Sequence, residues 1–332
     1  MIINGDCHIE MGKMEPNSID FVVTDPPYGL NFMGKQWDSA VPNVDIWKEA
    51  LRVCKPGSML AAFGGSRTHH HLMIALEQAG WEIRDVIMWL YGSGFPKSHN
   101  KFGLEGFGTA LKPAYEPIII AMKPLEGTYK QNAEKWGVGG INIEDCRIET
   151  NEKCQSSGSS IRGDSLGKYG DGLNNSGRFE SHSKGRWPAN LILDEEAAIE
   201  LDALTGILKS GKPGIRRKEH HSYSLNKLNI TGEIESGIGD SGGASRFFYC
   251  AKASSKERGE GNNHPTVKPI SLMKYIINLL APPGDPILLD PFAGSGSTLL
   301  AAKELGIRSI GIELNEEYCD IARKRTINDH DI

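Results

Sequence analysis

The chain has 332 residues, 39% of them hydrophobic and 24% charged, which is ordinary for a soluble globular protein and enough for one large domain with a smaller companion. No apolar run approaches a membrane span, the first residues lack a basic-then-apolar signal pattern, and the six scattered cysteines contain no C-x-x-C pair, which argues against a disulfide framework or a zinc site. The net charge of −5 does not by itself announce a nucleic-acid partner, but it is unevenly spread: residues 151–260 carry 16 basic against 15 acidic side chains, leaving 21 against 27 elsewhere.

The first third alternates strand and helix patterns. Strands are expected at Met1–Ile3, Phe21–Thr24, Met59–Phe63, Ile83–Leu90 and Ile118–Met122. Helices are expected over Ile46–Cys54 and Thr68–Ala79, the latter capped by Ser66 and closed by Gly80. The strand Phe21–Thr24 runs into Asp25-Pro26-Pro27-Tyr28. That places a carboxylate, a rigid corner and an aromatic ring at a strand's carboxyl end, the edge where open α/β sheets bind ligands. An acid beside an aromatic face suits a planar, amino-bearing molecule such as a nucleobase, because the ring stacks and the carboxylate accepts from the amine. His69-His70-His71 project to different sides of one helix and so do not form one metal site.

Between about 125 and 260 the alternation breaks. Ser156–Ser183 is rich in Gly, Ser, Asn and charge and reads as loops. Gly185-Arg186-Trp187-Pro188-Ala189-Asn190 leads into an apolar strand that ends at Asp194. Lys209, Lys212, Arg216, Arg217 and Lys218 form a basic run of the kind that phosphate contacts need. The aromatic stretch Ser245–Cys250 leads back towards the core and is expected to add a strand to the main sheet.

From Ile270 onward the pattern is helix, strand, Gly-rich turn, helix, strand, helix. The strand Ile287–Asp290 is followed by Pro291-Phe292-Ala293-Gly294-Ser295-Gly296-Ser297-Thr298 and a helix over Leu299–Leu305. Gly294 and Gly296 lack a Cβ and let backbone approach a ligand, while Ser297 or Thr298 caps a helix whose amides favour an anion. The next strand, Ser309–Ile312, ends in Glu313, placed as the ribose-hydroxyl partner of a nucleoside-binding unit. A dinucleotide fingerprint needs a third glycine where this chain has Leu299.

Taken together, the two motifs resemble the S-adenosylmethionine-dependent amino methyltransferases of DNA. Asn4-Gly5-Asp6-Cys7, Lys55-Pro56-Gly57-Ser58 and His264-Pro265-Thr266-Val267-Lys268-Pro269 add to the resemblance, which covers about residues 1–125 and 260–326. The resemblance implies a doubly wound, mainly parallel α/β sheet of Rossmann-like methyltransferase type, circularly permuted. Residues 1–125 would form the catalytic part, 126–260 an inserted target-recognition region and 261–332 the cofactor-binding part. It makes Asp25, Pro26, Pro27 and Tyr28 catalytic. It assigns Asp6 to the cofactor's adenine, Glu313 to its ribose, and Asp290, Phe292, Gly294, Ser295, Gly296, Ser297 and Thr298 to its methionine part, with Asp25 bordering the cofactor and Lys268 meeting its carboxylate. Double-stranded DNA is the implied partner, with no metal. A homodimer and a cognate restriction nuclease are further partners that the resemblance admits. Asp at the first tetrad position leans towards N6-adenine, with N4-cytosine methylation the alternative and a nucleotide-dependent oxidoreductase the reading from another class. The Gly-Arg-Trp-Pro-Ala-Asn stretch is similar to phage and prophage members, which implies the cytoplasm of a bacterial or phage-infected cell. One geometric demand follows: the strands leading to Asp25 and Asp290 must be neighbours.

Overall fold

Strands buried on both faces by helices read as near-continuous apolar runs, and Ile19–Thr24 is buried at every position, the polar Asp20 and Thr24 included. It lies in a computed structural model that describes residues 1–30, 40–94, 98–99, 103–149, 185–209, 214–216, 234–236, 241–251 and 267–326. In chain order the strands are β1 (Ile2–Asn4), β2 (Ile19–Thr24), β3 (Cys54–Phe63), β4 (Glu82–Leu90), β5 (Tyr115–Met122), β6 (Leu191–Asp194), β7 (Leu208–Lys209), β8 (Gly214–Arg216), β9 (Ile234–Ser236), β10 (Ser241–Gly242), β11 (Tyr249–Ala251), β12 (Ile287–Asp290) and β13 (Arg308–Glu313). The helices are α1 (Cys7–Gly12), α2 (Val44–Val53), α3 (His69–Ala79), α4 (Tyr129–Trp136), α5 (Glu195–Thr205), α6 (Ile270–Leu280), α7 (Ser297–Glu304) and α8 (Glu316–Thr326).

The chain divides into two units, one of Met1–Cys146, Ala189–Glu200 and Phe248–Ile332, the other of Arg147–Pro188 and Leu201–Phe247. The first holds a nine-stranded sheet in the order β1-β13-β12-β2-β3-β5-β4-β6-β11. Every neighbouring pair is parallel except those made by β5, which runs against both β3 and β4. The demand for neighbouring strands is met: β12 pairs with β2 through Leu288 opposite Phe21 and Leu289 opposite Val22. Strand residues alternate between faces, and two cores follow from it. Phe21, Val23, Met59 and Ala61 share one with α6 and α7 residues such as Ile276 and Ala301. Val22, Leu60 and Ala62 share the other with Trp47 of α2 and Leu72 and Leu76 of α3.

The middle segment supplies β6 and β11 to this sheet, so the aromatic return strand joins it as expected, pairing Tyr249–Ala251 with Ile192–Asp194. Two local expectations fail. The N-cap of α3 is Thr68, without a side-chain cap bond, and not Ser66, although Gly80 does close the helix with φ 104°. The pattern does not break at 125 either, because α4 follows at once. Thr128 and Gln131 form its reciprocal capping box, each side chain meeting the other residue's backbone amide.

In the second unit, β7 pairs with β10 and β8 with β9, both antiparallel. Asp202 accepts from the Ser245 amide at 2.8 Å and from its hydroxyl at 2.7 Å, and the guanidinium groups of Arg186 and Arg246 lie 4.9 and 4.2 Å from the Phe247 ring centre.

Candidate active site

Adjacent parallel strands deliver their carboxyl ends to one edge, and here β2 and β12 deliver Asp25-Pro26-Pro27-Tyr28 and the Gly-rich turn to one cavity of about 850 Å³. That lies towards the upper end of ligand pockets, roughly 300–1,000 Å³. Asp6, Lys268, Asp290, Phe292, Gly294, Ser295, Ser297, Thr298 and Glu313 line it with the tetrad. A buried hydrogen bond from the Thr24 hydroxyl to Asp290 Oδ1, 2.7 Å long, ties the two strand ends together.

Gly296 is the exception among the expected cofactor residues, being absent from the lining. It is the N-cap of α7 at φ 82°, so neither Ser297 nor Thr298 caps the helix. A Cβ there would meet the Ala322 Cβ at 2.8 Å. Its missing side chain lets α8 pack closely, which is a different reason for glycine than approach to a ligand. Gly294 does line the cavity, at φ 52°, and its amide donates to Glu313 Oε2 at 2.9 Å.

Three acids lie among the lining residues that the resemblance gives to the cofactor. Asp6 caps α1, its Oδ1 accepting from the amides of His8 and Ile9, which leaves acceptor capacity on Oδ2 for an outside donor. Glu313, at the end of β13, also accepts from the Asn315 amide at 2.8 Å. Burial raises its carboxyl above the usual value, against the opposing effect of those amides. Asp290 is almost wholly buried and its carboxyl is pushed up to about 6 by burial, although hydroxyls of Thr298 and Thr24 and the Phe292 amide pull the other way. Phe292 presents its ring to the cavity with Trp47 behind it, ring centres 6.2 Å apart.

At the tetrad the polar groups form one network. Tyr28 Oη lies 2.8 Å from Asp25 Oδ1 and 3.0 Å from Glu116 Oε2. The buried Lys268 ammonium donates to Asp25 Oδ2 at 2.7 Å and to Tyr28 Oη at 3.2 Å, and stands 3.2 Å from Glu116 Oε2. An ammonium has three donors, and all three are directed here. The partners of Lys268 in this structure are therefore the tetrad and Glu116; its expected contact with a cofactor carboxylate remains a proposal. Burial alone disfavours its charge, but Asp25 and Glu116 together outweigh that and hold its pKa above the usual lysine value. Burial, then the charges of Asp25 and Glu116, keep the Tyr28 phenol protonated. Trp89 and Tyr91, ring centres 5.2 Å apart, and Tyr115 complete an aromatic wall.

Glu116, Trp89, Tyr91 and Tyr115 are the residues that sequence reasoning missed. The available signals were Tyr115 next to Glu116 and the pair Trp89 and Tyr91 at the end of β4, but their relevance depends on β5 running antiparallel, which brings the start of that strand to the edge where the others end. Of the expected DNA-contacting residues, Lys209 is exposed in β7 and Arg216 ends β8, while Lys212, Arg217 and Lys218 lie outside the described residues.

With this geometry in view, comparison with known proteins gives a consistent picture. The N6/N4 family model, described as DNA methylase, matches residues 19–324. The type II methyltransferase M.HindIII of Haemophilus influenzae is 25% identical, over 98% of this chain and 94% of its own length. The DNA adenine methyltransferase YhdJ of Escherichia coli is also 25% identical, over 98% of this chain and 81% of its own. Among solved structures, the cytosine-N4-specific PvuII DNA methyltransferase shares the fold, with a TM-score of 0.50 at 16% identity, over 99% of this chain and 86% of that one.

Proposed function

This chain belongs to the N6/N4 DNA methylase family, and from that membership we propose that it transfers a methyl group from S-adenosylmethionine to the N6 amine of an adenine rotated out of double-stranded DNA. The observation that carries the reading is the shared cavity. The tetrad and the Gly-rich turn open into the same space, where a methyl donor and an acceptor base can meet.

The cofactor-side residues fit a nucleoside bearing a small charged group. Glu313 offers carboxylate oxygens to ribose hydroxyls, Phe292 a supported ring face, and Asp6 an acceptor for an adenine amine. S-adenosylmethionine, when bound, supplies the methyl group on a sulfonium centre. The rest falls to the chain's own residues. An aromatic amine is a weak nucleophile because its lone pair is delocalised into the ring, so the site must favour a pyramidal nitrogen. Asp25 accepts one amino hydrogen and the Pro26 carbonyl the other, which stabilises the transition state more than the ground state. Pro26 and Pro27 hold φ at about −65°, so that carbonyl is set before substrate arrives.

Extruding a base costs roughly a few kcal/mol. Stacking on an aromatic such as Tyr28 returns about 1–3 kcal/mol, and basic contacts to phosphate supply the remainder. In this reading residues 126–260 carry target recognition and the run from Lys209 to Lys218 meets the backbone. Asp at the head of the tetrad and the adenine named for YhdJ support N6-adenine over N4-cytosine. Digesting methylated duplex to nucleosides and weighing the product tests this: N6-methyldeoxyadenosine is expected, N4-methyldeoxycytidine reverses the choice of base, and no methylated nucleoside refutes the function.

A further inference from the structure

Glu116 occupies a place that the reaction as described leaves without a role. It stands near the start of β5, which runs against both of its neighbours in the main sheet, and register sets it opposite Trp89 of β4. Its carboxylate faces the cavity at hydrogen-bond distance from Tyr28 Oη, 3.0 Å, while Asp25 Oδ1 lies 2.8 Å from the same oxygen. A phenol has one proton to give, so at any instant it serves one of these carboxylates. The Lys268 ammonium, 3.2 Å from Tyr28 Oη, uses the oxygen's acceptor side.

We propose that Glu116 is a positioning residue that takes over the Tyr28 hydroxyl when Asp25 turns to the substrate amine. As the amine reaches Asp25 it competes with the phenol O–H for that carboxylate, and Glu116 is the second acceptor beside the phenol. Glu116 lies 3.0 Å from Tyr28 Oη and is reached by rotation about the phenolic C–O bond, with the Tyr28 ring kept in place for stacking. The missing side chain of Gly65 leaves room for the ring, since a Cβ there would lie 3.3 Å from both Tyr28 Cβ and Cδ2. Lys268 spans both carboxylates, at 2.7 Å from Asp25 and 3.2 Å from Glu116, and keeps the two acids close in spite of their like charge. The phenol stays protonated, so its demand for an acceptor persists through the reaction. Without Glu116, the Tyr28 hydroxyl loses one of the two carboxylates beside it, and holding it while Asp25 turns to the amine becomes costlier.

This inference rests on the reading of the cavity as a methyltransferase site, and the test separates the two. Steady-state kinetics on duplex DNA are compared for the wild type and for Glu116→Ala, Glu116→Gln, Tyr28→Phe and Tyr28→Phe combined with Glu116→Ala, with thermal melting to check folding. Glu116→Ala is expected to lower kcat by roughly 10- to 100-fold, with KM for S-adenosylmethionine changed little. Glu116→Gln keeps an acceptor oxygen and recovers most of that loss. In the Tyr28→Phe background there is no hydroxyl to receive, so removing Glu116 there costs several-fold less. Urea unfolding of the same variants reads the resting Tyr28–Glu116 bond without any substrate, and non-additivity is expected there too. A wild-type protein that methylates DNA while Glu116→Ala keeps its kcat, or loses the same factor with and without the Tyr28 hydroxyl, overturns the proposal for Glu116 alone. A folded wild-type protein that methylates no DNA overturns the reading of the site, and this proposal with it.

Discussion

Replacing Asp290 with asparagine offers a direct reading of the electrostatic tension in the site. The carboxyl group is buried between the ends of β2 and β12, and burial moves its pKa from 3.8 to about 6. A raised pKa means that the folded state holds the proton more tightly than the unfolded state does. The associated stability is complete below the unfolded value and is lost as pH rises through the folded one. The shift is about 2 units, and at about 1.4 kcal/mol per unit it corresponds to about 3 kcal/mol lost between roughly pH 4 and pH 7. The substituted amide keeps a carbonyl oxygen for the Thr24 hydroxyl and cannot ionise. Urea unfolding of both proteins across that window, without cofactor, is expected to show the wild type losing about 3 kcal/mol relative to Asp290→Asn as pH rises. Parallel stability profiles would refute the reasoning, since they would mean that Asp290 has the same proton affinity folded and unfolded.

Three further outcomes are expected. Asp25→Ala should abolish methyl transfer to DNA while calorimetry still detects S-adenosylmethionine binding, and near-normal turnover would remove Asp25 from the mechanism. Gly296→Ala should lower the urea midpoint by the equivalent of about 1–3 kcal/mol, because a side chain at φ 82° is strained and its Cβ strikes Ala322; an unchanged midpoint would contradict the tight approach of α7 and α8. Changing Lys209, Lys212, Arg216, Arg217 and Lys218 to Gln should flatten the salt dependence of DNA binding, by about 0.9 in the logarithmic slope for each phosphate that is no longer neutralised, whereas an unaltered slope would put the phosphate-binding surface elsewhere.

Much of the site is legible in the sequence because its two main parts are local. Asp25-Pro26-Pro27-Tyr28 and the turn around Gly294 each lie within a few residues of a strand end, so strand pattern and special residues together announce them. Their adjacency follows from a parallel sheet with ligands at its carboxyl edge. What escapes is non-local. Glu116 reaches the site only because β5 is reversed, and the apolar pattern of Ile118–Met122 is the same in either direction. Resemblance assigns Lys268 to a carboxylate of the cofactor, whereas its partners here come from β5 and the end of β2, distant in sequence. Gly296 looks like its neighbour Gly294, yet it packs on α8. The helix α4 is different in kind: Thr128-x-x-Gln131 is a readable capping signal, overshadowed by the polar composition that follows.

The pairing of β2 with β12 also has a bearing on biosynthesis. A chain growing from its amino end makes β2 early, but the strand that covers one of its edges emerges roughly 260 residues later. At about 5–20 residues per second, that is a delay of roughly 13–50 seconds. Throughout that interval the main-chain groups of Phe21 and Val22 on that side have no strand to meet, and a bare apolar edge invites other chains. Nascent molecules of this protein are therefore expected to lean on ribosome-associated chaperones until translation has passed Asp290.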